Sequence, residues 1–133
     1  MGLAAGAVLV AGRLRNDEHA FRIGRLALRT IADTELVANV LKLATQRPRP
    51  TEDSGRGRFG RGGHGFPSGH SMKSWALAAL LTREFPSRRV GLLSYSIATG
   101  ISLARLFGRR HFASDAFVGA VVGWFIGKYI EQR

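Results

Sequence analysis

Three uncharged stretches in an arginine-rich chain constrain its fold most. They are Ser74–Thr82, Val90–Ala104 and Ala116–Gly127, of 9, 15 and 12 residues between flanking charges. None alternates apolar and polar residues as a half-buried strand would. Upstream, Leu28, Ile31, Leu36, Val37, Val40 and Leu41 recur at three- and four-residue steps, with Arg29, Asp33, Glu35 and Asn39 off the stripe. That pattern predicts an amphipathic helix from Leu26 to Lys42. Pro48 and Pro50 stop it, and Arg47, standing before a proline, is pushed toward extended backbone. Further helices are expected over 69–81, 90–106 and 114–130, with a solvated connector at 13–25 and a loop at 51–66. The fold class is all-α: one helical bundle across the 133 residues.

Hydropathy alone leaves the solvent open. A spanning helix wants about 20 apolar residues, so the uncharged runs fit a soluble bundle, or a membrane one whose flanking Lys and Arg snorkel. Residues 13–25, 83–89 and 128–133 would share one side if the helices span, a positive-inside layout. The Arg-rich segment 47–61 lies opposite and needs a functional reason. Residues 1–12 are uncharged and form a shortened candidate span without the basic start of a signal peptide. Lys plus Arg number 20 against 9 Asp plus Glu, a net charge of +11. Such an excess predicts an anionic partner: nucleic acid, an acidic membrane face or a phosphorylated substrate. The absence of cysteine rules out a disulfide scaffold, a thiol nucleophile and a Cys-ligated metal. The Arg/Gly repeats of residues 56–63 look like an RNA-binding segment, but the run is short and bracketed by helices.

Three clusters could carry chemistry. Asp115 is the sole acid between Glu84 and Glu131, four residues after His111 and ten after Arg105. That spacing puts a carboxylate–imidazole hydrogen bond within reach, which would fix the tautomer of a basic or nucleophilic histidine. The plainer alternative is Asp115, beside Ser114, as a helix cap. Pro67-Ser68-Gly69-His70 sets a hydroxyl and a close-approach glycine at a helix start, where amides and dipole favour an anion. His70 could give or take a proton there; alternatively Ser68 only caps and His70 is a surface residue. Lys42, with Arg49-Pro50 seven residues on, offers a point cation and a planar fork suited to phosphate oxygens, or else a solvated helix terminus.

Taken together, the order and spacing of Lys42 to Arg49-Pro50, Pro67 to His70, and Arg105–His111–Asp115 resemble the signature of the type-2 phosphatidic acid phosphatase superfamily. That family includes membrane lipid phosphatases, bacterial acid phosphatases and vanadium-dependent haloperoxidases. The resemblance covers about residues 36–130. It implies a helical bundle of that type, embedded in a membrane. It further implies a metal-independent phosphatase acting on a phosphorylated lipid of phosphatidate or isoprenyl diphosphate type through a phosphohistidine. His111 then stands as nucleophile, Asp115 as the residue that orients and polarises it, and His70 as general acid. Lys42, Arg49, Ser68, Gly69 and Arg105 form the phosphate cradle. No cofactor, no metal and no nucleic acid are expected; the partners are a phosphorylated lipid or small phosphoester and the membrane. The implied location is a bacterial-type inner membrane, with the site on the extracytoplasmic face. Rival readings are a soluble or exported acid phosphatase on this fold, a haloperoxidase (usually much longer), and a basic RNA- or membrane-surface-binding protein. The chain departs from the pattern at Ala104, where the family usually has serine. It also shows four clear helices plus residues 1–12, where membrane members usually have six spans, so an N-terminally truncated copy is expected.

Overall fold

The structure, a computed structural model, describes residues 1–15 and 17–130. It is built from five helices: α1 (Gly2–Leu14), α2 (Glu18–Thr45), α3 (Gly69–Glu84), α4 (Arg88–Phe107) and α5 (Ala113–Tyr129). No strand occurs among the described residues, as the all-α expectation requires.

The expected connector at 13–25 is corrected: residues 18–25 form the opening turns of α2. Asp17 is the reason, since its carboxylate accepts the amides of His19 and Ala20 at 3.1 and 3.0 Å and starts the helix there. The charges that suggested a break are largely a solvated helix face. At its other end α2 closes on Gln46, which adopts the left-handed conformation (φ 47°, ψ 40°) and donates its N–H to the Lys42 carbonyl.

Helix α3 is the centre of the bundle and packs against α2, α4 and α5. It buries Ser71, Met72, Ser74, Ala76, Ala78, Ala79 and Leu80. Its tightest neighbour is α5, whose Gly119, Gly123 and Gly127 recur at four-residue steps against Ser68, Met72 and Ala76. A Cβ at Gly123 or Gly127 would lie 2.0 Å from the carbonyl oxygen of Met72 or Ala76, so the two backbones are in direct contact. Small residues at such steps are what lipid-embedded helices use to approach closely.

Large side chains point outward instead. Leu92, Leu93, Ile97, Leu103 and Phe107 of α4 are exposed, as are Leu36, Val40 and Leu43 of α2 and Phe117 and Phe125 of α5. Among the described residues α4 is the helix long and apolar enough to cross a membrane. The chain direction alternates, so the C-termini of α2 and α4 and the N-termini of α3 and α5 meet at one end with loops 46–68 and 108–112. At the opposite end Arg22 pairs with Glu84, His19 meets the Phe85 ring, and Arg83 donates to the Lys128 carbonyl. This is the grouping expected from the charge layout; residues 131–133 lie outside the described residues.

Candidate active site

Each of the three sequence clusters sits at a helix terminus, and the bundle brings those termini together. Lys42 occupies the last turn of α2, and its Nζ lies 3.7 Å from where a Gly69 Cβ would stand. Gly69 opens α3, with Ser68 as its N-cap: the buried Ser68 Oγ accepts from the Ser71 amide at 3.4 Å and the Ser71 hydroxyl at 3.2 Å. The capping alternative for Ser68 therefore holds. His70 follows on the exposed side of that first turn, faced by Arg105, Lys73, His111 and Lys42. Lys73 is itself ion-paired with Glu35 of α2.

His111 precedes α5 and is buried. Its Nδ1 lies 2.7 Å from the Gly65 carbonyl oxygen. A carbonyl only accepts, so Nδ1 carries the proton and Nε2 keeps its lone pair. Burial holds the imidazole below its ordinary pKa; Arg49, Lys42 and Arg105 push the same way, against the Gly65 bond. The histidine is thus neutral near neutral pH, with the Nε2 lone pair free.

The expected His111–Asp115 hydrogen bond is not formed. Asp115 Oδ2 stands 3.8 Å from Nδ1, outside hydrogen-bond range. Its oxygens are taken: Oδ2 accepts the Phe112 amide at 2.7 Å and Oδ1 accepts Arg47 at 2.6 Å. Asp115 therefore caps α5 from its first turn, the plainer alternative, while its charge still faces the imidazole.

Four cations surround the two histidines. Arg49 is tethered by its amide to Glu52 (2.9 Å), with a loose 4.0 Å ion pair between the same side chains. Arg105 has a buried Nε with no hydrogen-bond partner. A buried donor left open is costly, and an anion in the cradle would satisfy it. Lys42 and Lys73 complete the set. Among the described residues no group of three or more His, Asp or Glu side chains converges as metal ligands would. What the arrangement can do is hold a tetrahedral anion against a neutral imidazole, with a second imidazole beside it.

Sequence reasoning missed Arg47, which appeared only as the residue before Pro48. Its guanidinium lies between the rings of Phe59 and Phe112, at 4.9 and 4.3 Å from their centroids. It donates from Nε to the Gly57 carbonyl (2.8 Å) and from one terminal nitrogen to Ser114 Oγ (2.8 Å) and Asp115. The sole sequence signal was an arginine held rigid by a following proline.

A helical bundle that gathers four cations and two histidines at one end defines a class suited to holding an anion. The chain belongs to the PAP2 superfamily, whose family model matches residues 24–132. It is 35% identical over 111 residues to a lipid A 1-phosphatase of Rhizobium etli, a match covering 77% of this chain and 47% of that protein. It is 32% identical over 84 residues to a lipid A 1-phosphatase of Porphyromonas gingivalis, covering 57% of this chain and 19% of the other. A lipid A 4′-phosphatase of Bacteroides thetaiotaomicron is 38% identical over 71 residues, covering 53% and 31%. The chain thus spans less than half the length of each of these relatives. No solved structure matches.

Proposed function

We propose that this chain carries the catalytic centre of a metal-independent phosphatase acting on a phosphorylated lipid. The observation that carries it is the uncompensated cradle: Arg105 Nε open, Lys42 Nζ over Gly69, and His111 tautomerically fixed with Nε2 free. The names of the relatives make lipid A the first substrate to try, ahead of phosphatidate or an isoprenyl diphosphate. His111 Nε2 attacks phosphorus in line as the ester P–O bond breaks, and His70 protonates the departing oxygen. The neutral His70 then takes a proton from water as the water oxygen attacks the phosphohistidine phosphorus; the P–N bond breaks, its electron pair returns to His111 Nε2, and phosphate is released. Lys42, Arg49, Arg105, the Gly69 amide and the Ser68 hydroxyl stabilise the equatorial oxygens through both steps. That cationic shell repels a metal ion, so the chemistry is assigned to the side chains.

The exposed apolar faces of α2, α4 and α5 support a membrane-embedded bundle over a soluble acid phosphatase. Arg13, Arg15, Arg22, Arg25, Arg83, Arg88 and Arg89 mark the end opposite the site, which supports a site on the extracytoplasmic face of a bacterial-type inner membrane. Cysteines introduced at Gly62 and Ser87 should be labelled by an impermeant reagent from opposite sides; labelling of both from one side overturns the topology. The chemical step is tested by rapid quench of the detergent-solubilised chain with ³²P-labelled lipid. Acid-labile, base-stable label should appear on the protein and vanish in His111→Gln. Label retained by that variant removes His111 as nucleophile.

A further inference from the structure

We propose that Arg47, which lies between the motif positions Lys42 and Arg49, is a positioning residue that holds both groups facing His111 Nδ1. The inference rests on the reading of His111 as nucleophile. One of the two groups is the Gly65 carbonyl, bonded to Nδ1 at 2.7 Å; the Gly65 amide in turn donates to the Arg47 carbonyl at 2.6 Å. The other is Asp115, whose Oδ2 stands 3.8 Å from Nδ1 and whose Oδ1 is held by the Arg47 guanidinium at 2.6 Å. Main chain and side chain of one residue thus fix the nucleophile from two directions.

The side chain is built in. It is 12% exposed, lies between the rings of Phe59 and Phe112, and ties the Gly57 carbonyl on one edge to Ser114 and Asp115 on the other. A lysine cannot reproduce this, because a single ammonium cannot lie flat between two rings and donate from both edges. The fully buried Asp115 carboxylate would otherwise face the imidazole with its charge unopposed. Arg47 neutralises it, so the carboxylate neither draws the Nδ1 proton away from Gly65 nor favours the imidazolium. The other charged or titratable groups facing His111 are Lys42 on α2, Arg49 in the following loop, His70 on α3 and Arg105 on α4, none of which can be anionic.

The test is an NMR titration of the full chain in detergent micelles with ¹³C-labelled histidine, the His111 signal being assigned by its loss in His111→Gln. Arg47→Ala should move the His111 midpoint up by about 1–3 pH units, the usual effect of an opposed charge at this range. Arg47→Ala combined with Asp115→Asn should return it. Asp115→Asn alone keeps the acceptor for the Phe112 amide and should move the midpoint down, because Arg47 is then unopposed. Arg47→Lys should keep the midpoint near wild type while kcat falls, since charge remains and geometry does not. An unmoved midpoint in Arg47→Ala, or in Asp115→Asn if the first variant fails to fold, overturns the proposal and leaves a packing role only. Because the titration needs no turnover, an inactive wild-type chain that shows these shifts would sink the phosphatase reading and spare the clamp.

Discussion

Adding one methyl group at Gly123 should damage catalysis out of proportion to its effect on stability. A Cβ there would stand 2.0 Å from the Met72 carbonyl oxygen and 2.8 Å from the carbonyl carbon. Carbon and carbonyl oxygen settle at about 3.3 Å, so α3 and α5 must part by roughly 1.3 Å. Neighbouring positions give no relief: Gly119 and Gly127 are held at 2.6 and 2.0 Å by the same helix. Overpacking of this kind costs about 1–3 kcal/mol, and replacing glycine by alanine within a helix returns about 1 kcal/mol of propensity. The net loss of stability is therefore about 0–2 kcal/mol. Geometry is hit harder, because Gly69 and His70 ride on α3 while Asp115 rides on α5 and His111 stands two residues before it. A displacement near 1 Å at a reacting centre lowers rates by about 10²-fold.

The assay pairs unfolding in detergent micelles, followed by circular dichroism, with turnover of p-nitrophenyl phosphate under identical conditions. Gly100→Ala is the control, since its Cβ in α4 would meet nothing within 4 Å. It should gain up to about 1 kcal/mol with activity unchanged. A Gly123→Ala protein as stable and as active as Gly100→Ala would falsify the direct backbone contact.

Other outcomes follow from the cradle. Arg105→Ala should lower kcat/KM by about 10²–10³-fold and weaken vanadate inhibition in parallel, with EDTA harmless throughout; activity lost to EDTA and restored by Mg²⁺ contradicts a cationic, metal-independent site. His70→Ala should slow alkyl phosphates by about 10²–10⁴-fold and spare activated aryl phosphates, whose leaving oxygen needs no proton; equal losses would make His70 a binding residue. His111 is held below its ordinary pKa, chiefly by burial, so the acid limb of kcat/KM should fall below about pH 6.5. The sign for stability agrees: the unfolded chain binds that proton first, so the fold weakens as pH drops from about 6.5 toward the folded midpoint. An acid limb above pH 7 removes His111 as the neutral nucleophile.

How far the site was legible depends on where its residues sit relative to helix ends. Lys42, Ser68, Gly69, His70 and Arg105 lie in terminal turns, so their spacing along the chain translates directly into place. The His111–Asp115 pair did not, because the four-residue rule holds within a helix and α5 begins only at Ala113. His111 is therefore outside the helix, free to choose the Gly65 carbonyl. The partners of Arg47 stand 10, 67 and 68 residues away, a set no local spacing can encode. The stripe Gly119, Gly123, Gly127 was present in the sequence, but inside an apolar run it looked like hydropathy rather than a contact surface.

The Arg/Gly loop shows the same difference between composition and place. Its glycines suggested a flexible RNA-binding segment, yet Gly60, Arg61 and Gly63 donate their amides to the Thr45 and Gln46 carbonyls at 2.9–3.1 Å. Gly57 is required there on two counts. Its φ is +59°, a region that side chains avoid, and a Cβ would meet the Phe112 ring at 2.7 Å and the Arg47 guanidinium at 2.9 Å. The loop must come this close because Gly57 supplies the carbonyl that Arg47 Nε needs while the same guanidinium reaches Asp115. An arginine that sits between two aromatic rings and serves both edges can be enclosed only by backbone without side chain. The glycine at 57 is thus part of how Asp115 is held beside His111, and its sequence signature is indistinguishable from that of a linker.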